Sequence, residues 1–229
     1  MAAHHEEQEQ IDELKRWWQE NRTFVVAGLV IGVTTVAGWR GWEWHATRQA
    51  EAAAAVYAEL DAAIAAGDAT TAAARAATLA ADYARTPYAA NGALLQAKAL
   101  VEAGDLAQAR RQLEWAAMRA GDAELAELAR IRLARVELSA GDGAAALAAL
   151  AATRGGAFAA LIEEVRGDAH RALGQETEAR AAYAAALAAA DDNPGDRQML
   201  ELKLADLGPA PAAAVATLAP PAPDPGAKP

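Results

Sequence analysis

Apolar and polar positions divide the chain into three parts. Residues 23–39 (TFVVAGLVIGVTTVAGW) contain no charged side chain. From about residue 45 to 207 the apolar positions recur with a helical period, in segments dominated by alanine. After Gly208 the periodicity stops, and the last 22 residues hold seven of the nine prolines. The pattern predicts an apolar helix, an all-α domain at 45–207 and a disordered Ala/Pro-rich tail at 208–229.

A repeated turn divides the central domain into units of similar length. Ala-Gly-Asp occurs at 66–68, 103–105 and 140–142, which are two intervals of 37 residues. A weaker copy, Leu-Gly-Gln at 173–175, follows 33 residues later. Glycine tolerates the left-handed conformation that ends a helix, and aspartate caps the helix that follows. Each copy therefore predicts the turn of a helical hairpin.

The residues after the turns repeat as well. Three copies place a small residue five positions after the glycine and a bulkier residue nine positions after it. These pairs are Ala109 with Leu113, Ala146 with Leu150 and Ala179 with Tyr183, while the first copy keeps only Ala72. Helix–turn–helix units of about 34 residues are typical of tetratricopeptide repeats. We predict a tetratricopeptide-like α-solenoid of three to four helix pairs; an irregular helical bundle is the alternative.

Partner helices lie between these turns. One apolar stripe of the segment 124–139 consists of Leu125, Ala129, Leu133 and Val136. Thr86 and Pro87 provide a cap and a first-turn proline for a helix that runs to Val101.

The uncharged stretch predicts a membrane anchor. Its 17 residues span ~26 Å as a helix, at the lower limit for crossing a bilayer. Tryptophans flank both ends, as an aromatic belt at two interfaces requires: Trp17, Trp18, Trp39, Trp42 and Trp44. The small-residue site of a cleaved leader is missing, and apolar residues on every face do not fit a soluble core helix. We predict a retained anchor at 23–44 in the lipid bilayer, after a flexible tail at 1–22.

The basic residues beside the anchor favour one membrane orientation by a small margin. Lys15, Arg16 and Arg22 precede it, and Arg40 and Arg48 follow it, which favours a cytoplasmic tail. Within the anchor, the glycines at 28 and 32 form a GxxxG motif, which permits close packing against another membrane helix.

Charge and composition exclude several classes of partner and site. A net charge of −10 argues against nucleic acid, because phosphate binding needs a basic surface. The same charge leads to the hypothesis that a groove of the solenoid prefers neutral or basic segments. With no cysteine, the chain can form neither a disulfide nor a thiolate metal site.

Residues able to carry chemistry are few and scattered. Ser139, the single serine, stands beside a predicted turn with no histidine nearby in sequence. The four histidines are His4, His5, His45 and His170. The segment 191–201 places its glycine and glutamate one position too early for a calcium-binding EF-hand loop. We therefore predict no catalytic, cofactor-binding or metal residue, and no enzyme.

The order of segments resembles one known family. An acidic tail leads into LKRWWQENR, and a glycine-bearing span ends in GWRGWEW. Alanine-rich repeats follow, with RIRLARVEL at 130–138, a segment at 156–183 and QMLELKLADL at 198–207. Residues 6–207 are similar to the YfgM family, the ancillary subunits of the bacterial SecYEG translocon. The proline-rich tail is outside the family pattern.

This resemblance implies a role and a location. It implies a single-pass protein of the bacterial inner membrane, with its N terminus in the cytoplasm and the domain 45–207 in the periplasm. It further implies partnership with SecYEG and with the membrane-anchored periplasmic chaperone PpiD, on behalf of exported proteins. The alternative is a tetratricopeptide scaffold of another cell-envelope assembly machinery.

Overall fold

The chain is helical throughout the part that the structure describes. The structure, a computed structural model, describes residues 2–190 and 194–208, with backbone alone in 2–13 and 194–196. Over these ranges it contains no strand, which confirms the predicted all-α class. The predicted tail after residue 208 lies outside the described residues.

The helices have the following bounds. They are α1 (Ala2–Ala65), α2 (Ala69–Asp82), α3 (Pro87–Glu102), α4 (Leu106–Arg119), α5 (Ala123–Ser139), α6 (Gly143–Leu150), α7 (Ala159–Ala172), α8 (Glu176–Ala189) and α9 (Pro194–Asp206), with a 3-10 turn at Gly156–Phe158. The chain divides into two compact units, the first ending at Ala52 and the second beginning at Ala53.

The first unit is the part of helix α1 that ends at Ala52. Helix α1 begins at Ala2, so the backbone of 2–22 is helical where the sequence pattern predicts a flexible tail. The physical reason is composition: this segment contains neither glycine nor proline and is rich in good helix formers such as Glu, Gln, Leu, Lys and Arg. From Leu14 onward α1 is long and apolar enough to cross a membrane, with a window of mean hydropathy 1.5 that is 0% buried.

The second unit stacks helical hairpins. The end of α1 pairs with α2, α3 with α4, α5 with α6, and α7 with α8, while α9 packs against α8. This confirms the predicted solenoid, with four pairs and one closing helix among the described residues. Four successive core clusters follow the hairpins, from Leu60 and Leu79 in the first to Tyr183 and Leu200 in the last.

The turns are built as their sequence predicts. The glycines of the four copies have positive φ: Gly67 (72°), Gly104 (80°), Gly141 (84°) and Gly174 (71°). In the first three copies the aspartate accepts the backbone N–H three positions later: Asp68 from Thr71, Asp105 from Gln108 and Asp142 from Ala145. Gln175 makes no such bond, consistent with a weaker copy.

Capping changes the acidity of two of these aspartates. The pKa of Asp68 is lowered, chiefly because the Thr71 hydroxyl donates to its carboxylate. The pKa of Asp105 is lowered chiefly by the backbone N–H of Gln108. Both carboxylates thus keep their charge, and their caps, to a lower pH than an uncapped aspartate.

One further Ala-Gly-Asp triplet, at 120–122, joins successive hairpins. Its Asp122 accepts the N–H groups of Glu124 and Leu125 and so starts α5. This cap falls outside the 37-residue spacing, so the repeat analysis does not predict it. At the start of α3, Thr86 is the N-cap residue and Pro87 lies in the first turn, as predicted, but the Thr86 hydroxyl donates to the Tyr83 carbonyl at 2.8 Å and makes no capping bond to the helix.

The small and bulky positions after each turn are buried as predicted. The small residues Ala72, Ala109, Ala146 and Ala179 are at most 2% exposed. The bulky residues Leu113, Leu150 and Tyr183 are at most 1% exposed. Alanine allows the helices of a hairpin to approach closely, and the larger side chain one turn later fills the space between them.

Helix α5 is buried on two faces, of which the sequence pattern predicts one. Ala129 and Val136, from the predicted stripe, are buried in the cluster shared with α3 and α4. Ile131 and Ala134 are buried on another face, in the cluster shared with α6 and α7. An inner helix of a solenoid contacts neighbours on both sides, so a single apolar stripe describes only half of its packing.

Candidate interaction groove

Helices α3 and α5, the first helices of two successive hairpins, border a groove of about 360 Å³. Its floor is apolar, formed by the buried side chains Leu94, Ala97, Leu113 and Val136. Val101, 39% exposed, lies at the edge. The volume falls within the range of small ligand pockets, so one or two large side chains of a partner fit inside.

Basic side chains dominate the polar lining of this groove. Lys98 of α3 and Arg132 and Arg135 of α5 line it, against the single carboxylate of Glu102. Arg132 and Arg135 are three residues apart, so they lie on the same side of α5. The groove is therefore locally positive in a chain whose net charge is −10.

The lining of the groove argues against the hypothesis drawn from net charge. An overall charge of −10 suggests a groove that prefers neutral or basic segments, yet the lining contains three cations and one anion. The carboxylates that give the chain its charge are spread over other helix faces and turns. In water containing salt, charges more than about 10 Å away are largely screened, so the local lining decides what the groove attracts.

The basic side chains are loosely paired. Lys98 Nζ lies 3.8 Å from Glu102 Oε1, and Arg135 Nη2 lies 3.8 Å from Glu164 Oε2, both too long for a hydrogen bond. Glu164 has a closer partner, because Lys203 Nζ lies 2.7 Å from its Oε1. Arg132 is exposed and makes no ion pair within the described ranges. The guanidinium donors of the groove are thus available to hydrogen-bond a partner.

A second depression continues the groove toward α7. It measures about 390 Å³ and is lined by Leu138, Ser139, Asp168, Arg171 and Ala172. Ser139 lines both depressions, so together they follow the faces of three first helices, α3, α5 and α7. Stacked hairpins offer extended surfaces of this kind for peptide segments.

The residues that could carry chemistry are not brought together. The Ser139 hydroxyl donates to the Arg135 carbonyl at 2.9 Å, within its own helix. His170 Nδ1 lies 2.7 Å from Gln175 Oε1, which ties the end of α7 to the following turn. His45 lies in α1, and the side chains of His4 and His5 lie outside the described residues. Among the described side chains, no group of three or more metal-ligating residues occurs.

An ion pair between a partly exposed arginine and a buried glutamate joins two helices that line the groove. Glu137, 4% exposed, accepts a hydrogen bond from Arg110 of α4. The bond joins α4 to α5 close to Val136, so it fixes the helix that carries Arg132 and Arg135. The sequence analysis misses this pair, because its members are 27 residues apart and each resembles an ordinary surface charge.

A second polar cluster joins α7, α8 and α9. Lys203 Nζ of α9 lies 2.8 Å from both carboxylate oxygens of Asp168, in addition to its contact with Glu164. The Tyr183 hydroxyl donates to Asp168 Oδ1 at 2.7 Å, and Lys203 Nζ lies 5.6 Å from the centre of the Tyr183 ring. Burial, followed by the bond to Asp168, raises the pKa of Tyr183, so the phenol stays protonated and donates. This cluster holds α9 on the end of the solenoid.

The first unit carries a separate apolar depression, on α1. About 570 Å³ in volume, it is lined by Gly28, Leu29, Gly32, Val33, Val36, Ala37 and Arg40. A methyl group on either glycine of the GxxxG motif would meet nothing within 4 Å. The motif therefore forms an open notch on the side of the predicted span.

Comparison with known proteins gives consistent matches. A family model described as a tetratricopeptide repeat-like domain matches residues 15–209, which include the apolar stretch and every hairpin. A relative from Escherichia coli (strain K12), named "Ancillary SecYEG translocon subunit", is 30% identical over 209 residues, 90% of this chain and 99% of the relative.

Two further relatives carry the same name. The protein from Haemophilus influenzae is 30% identical over 155 residues, 68% of this chain and 76% of the relative. The protein from Aggregatibacter actinomycetemcomitans is 28% identical over 209 residues, 90% of this chain and 100% of the relative. No solved structure matches the chain.

Proposed function

This chain belongs to the YfgM family of ancillary SecYEG translocon subunits, and we propose that it is a membrane-anchored interaction module of that translocon. One observation carries the proposal. The alignment with the Escherichia coli relative covers 90% of this chain and 99% of that protein, so the similarity includes both the apolar span and the repeats of this chain. The three relatives that carry this name support a Sec-associated role for this chain.

The bilayer is the first proposed partner. Side chains of the span such as Phe24, Leu29 and Ile31 are 66–79% exposed in the first unit, which suits contact with lipid tails. At one end of the span the Trp39 and Trp42 rings make an edge contact at 6.3 Å. Tryptophan combines an apolar ring with an N–H donor, which favours the membrane interface.

The proposed location is the bacterial inner membrane, with the N terminus in the cytoplasm and the repeat domain in the periplasm. Three basic residues before the span and two after it support this direction. A periplasm-active reporter fused after Leu207 is expected to be active, and the same reporter fused before Lys15 inactive. The reverse pattern would contradict the orientation while leaving the anchor in place.

The proposed role of the repeat domain is to bind other proteins. It recruits, or cooperates with, periplasmic chaperones such as membrane-anchored PpiD while exported proteins emerge. What supports binding over catalysis is the use of the polar side chains: Ser139 and His170 bond within their own helix or turn, and the larger polar clusters join helices. The open groove between α3 and α5 is a surface on which a partner can bind.

Association with the translocon is testable by purification. The full chain, purified in mild detergent from membranes at native expression, is expected to bring SecYEG subunits with it. A matched variant replaces residues 23–39 by an unrelated apolar span of equal length and keeps Trp17, Trp18, Trp42 and Trp44. Recovery of outer-membrane assembly proteins in place of SecYEG would contradict the proposal, and equal SecYEG recovery by the variant would assign the contact to the repeat domain.

A further inference from the structure

We propose that the groove between α3 and α5 binds an acidic, amphipathic peptide segment of a partner protein, through Arg132 and Arg135. This inference rests on the proposed function, since it specifies the chemistry of the partner that the interaction module takes. The carboxylates of the segment meet the two guanidinium groups, and an apolar side chain of the segment fills the space above the floor of the groove.

The availability of the two arginines is the first argument. Arg132 makes no ion pair in the described part of the chain, and Arg135 has a single partner at 3.8 Å. That partner, Glu164, has a closer cation, because Lys203 Nζ lies 2.7 Å from its other carboxylate oxygen. A guanidinium group presents donors in a planar fork that fits a carboxylate with two parallel hydrogen bonds. A carboxylate of a bound segment would therefore provide the close hydrogen-bond acceptor that the chain itself does not give these two arginines.

The apolar floor is the second argument. Leu94, Leu113 and Val136 are at most 5% exposed beneath the groove, while Val101 leaves an apolar edge open to solvent. A wholly polar segment would leave the exposed side of Val101 without an apolar contact. A leucine or valine beside the carboxylates would cover it and would also exclude water from the charged contacts, which strengthens them.

Charge also decides against other occupants. A basic segment would meet Lys98, Arg132 and Arg135, with only Glu102 in the lining to offset them. A nucleic acid would need many phosphate contacts, and a chain of net charge −10 repels it. The same negative charge disfavours weak attachment of acidic segments elsewhere on the surface, which makes the groove selective.

The test measures peptide binding to the full chain in nanodiscs of zwitterionic lipid. The probe is a short fluorescent peptide in which glutamates flank a pair of leucines, and its matched control carries lysines in place of the glutamates. Fluorescence anisotropy is expected to show binding of the glutamate peptide, weakened by added salt, and no binding of the lysine peptide. Equal affinity for the two peptides, or binding of neither, would overturn the proposal.

Two sets of variants localise the effect. Reversal of the groove charges, Arg132→Glu with Arg135→Glu, is expected to weaken the glutamate peptide about tenfold or more and to create affinity for the lysine peptide. The neutral pair Arg132→Gln with Arg135→Gln should weaken the glutamate peptide without creating the new affinity. The control pair Arg111→Glu with Arg119→Glu makes the same change in net charge on exposed positions of α4 outside the groove, and should leave both affinities unchanged.

Further outcomes keep this inference separate from the proposed function. The native chain and the groove variants are also purified from membranes in mild detergent and assayed for bound SecYEG subunits. Failure of the native chain to bind the glutamate peptide, together with retained SecYEG, would refute the charged groove alone, whereas absence of SecYEG from the native chain would count against the proposed function. If the control pair loses the peptide as strongly as the groove pair, binding follows net charge and the groove assignment is wrong.

Discussion

Replacing Tyr183 by alanine is expected to lower the free energy of unfolding of the repeat domain by about 3–5 kcal/mol. Tyr183 is fully buried on α8, at 0% exposure. Its ring packs directly on the backbone of Gly167 in α7, where a methyl group would stand 2.4 Å from the ring. Alanine would leave a cavity that these helices cannot close, and it would remove the hydroxyl that bonds Asp168. Denaturant unfolding followed by circular dichroism gives the value.

Two companion variants separate the parts of this effect. Tyr183→Phe keeps the ring and removes the hydroxyl, so a loss of about 1 kcal/mol is expected. Gly167→Ala fills the space that the ring occupies, and we expect a loss of about 1–3 kcal/mol, although alanine ordinarily favours a helix. A Tyr183→Ala loss no larger than that of Tyr183→Phe would contradict the assignment of the ring as the centre of this packing.

Replacing Lys203 by methionine is expected to release α9 and to lower the free energy of unfolding by about 2–3 kcal/mol. The Lys203 ammonium lies 2.7–2.8 Å from the carboxylates of both Glu164 and Asp168, and all three side chains are less than one-third exposed. Methionine keeps the length of the side chain but leaves two carboxylates facing each other in a partly dry site. Because the three groups keep some contact with water, the loss falls below that of a fully buried pair.

Hydrogen exchange locates this second effect. Amides of α9 in Lys203→Met are expected to exchange much faster than in the native chain, with those of α3 unchanged. Lys98→Met is the matched control, because Lys98 is 69% exposed and lies 3.8 Å from its partner. That control should change stability by less than about 0.5 kcal/mol. Equal losses in the two variants would show that the Lys203 cluster does not anchor α9.

Much of the fold is predictable from the sequence because its signals are local. The glycine and aspartate of each turn act within a few residues, so their spacing is enough to place the hairpins. The small residue and the bulky residue that follow act within one hairpin, and Ala109 with Leu113 shows both buried as predicted. The signal for the anchor is equally local, since it consists of the length of the apolar stretch and the tryptophans beside it.

The interaction surface is less predictable because it depends on contacts between hairpins. The floor of the groove combines Leu94 of α3 with Val136 of α5, and nothing in either segment specifies that they meet. Similarly, Lys203 and Asp168 are 35 residues apart, and sequence spacing alone does not distinguish them from solvated charges. The net charge of the chain does not predict the charge of the groove lining for the same reason. It adds together charged side chains that the fold places on separate surfaces.

The most direct test of the central claim, a membrane-anchored module that works beside the translocon, is photocrosslinking in living cells. A photoreactive amino acid is placed at Gly32 in the notch of the span, at Val101 on the edge of the groove, or at Met118. Met118 is 75% exposed on α4 and lines neither surface, so it reports background. We predict crosslinks to SecYEG subunits from Gly32, a distinct set of partners from Val101, and neither set from Met118. Crosslinks from Gly32 to other membrane proteins, with SecYEG absent at all three positions, would contradict the account.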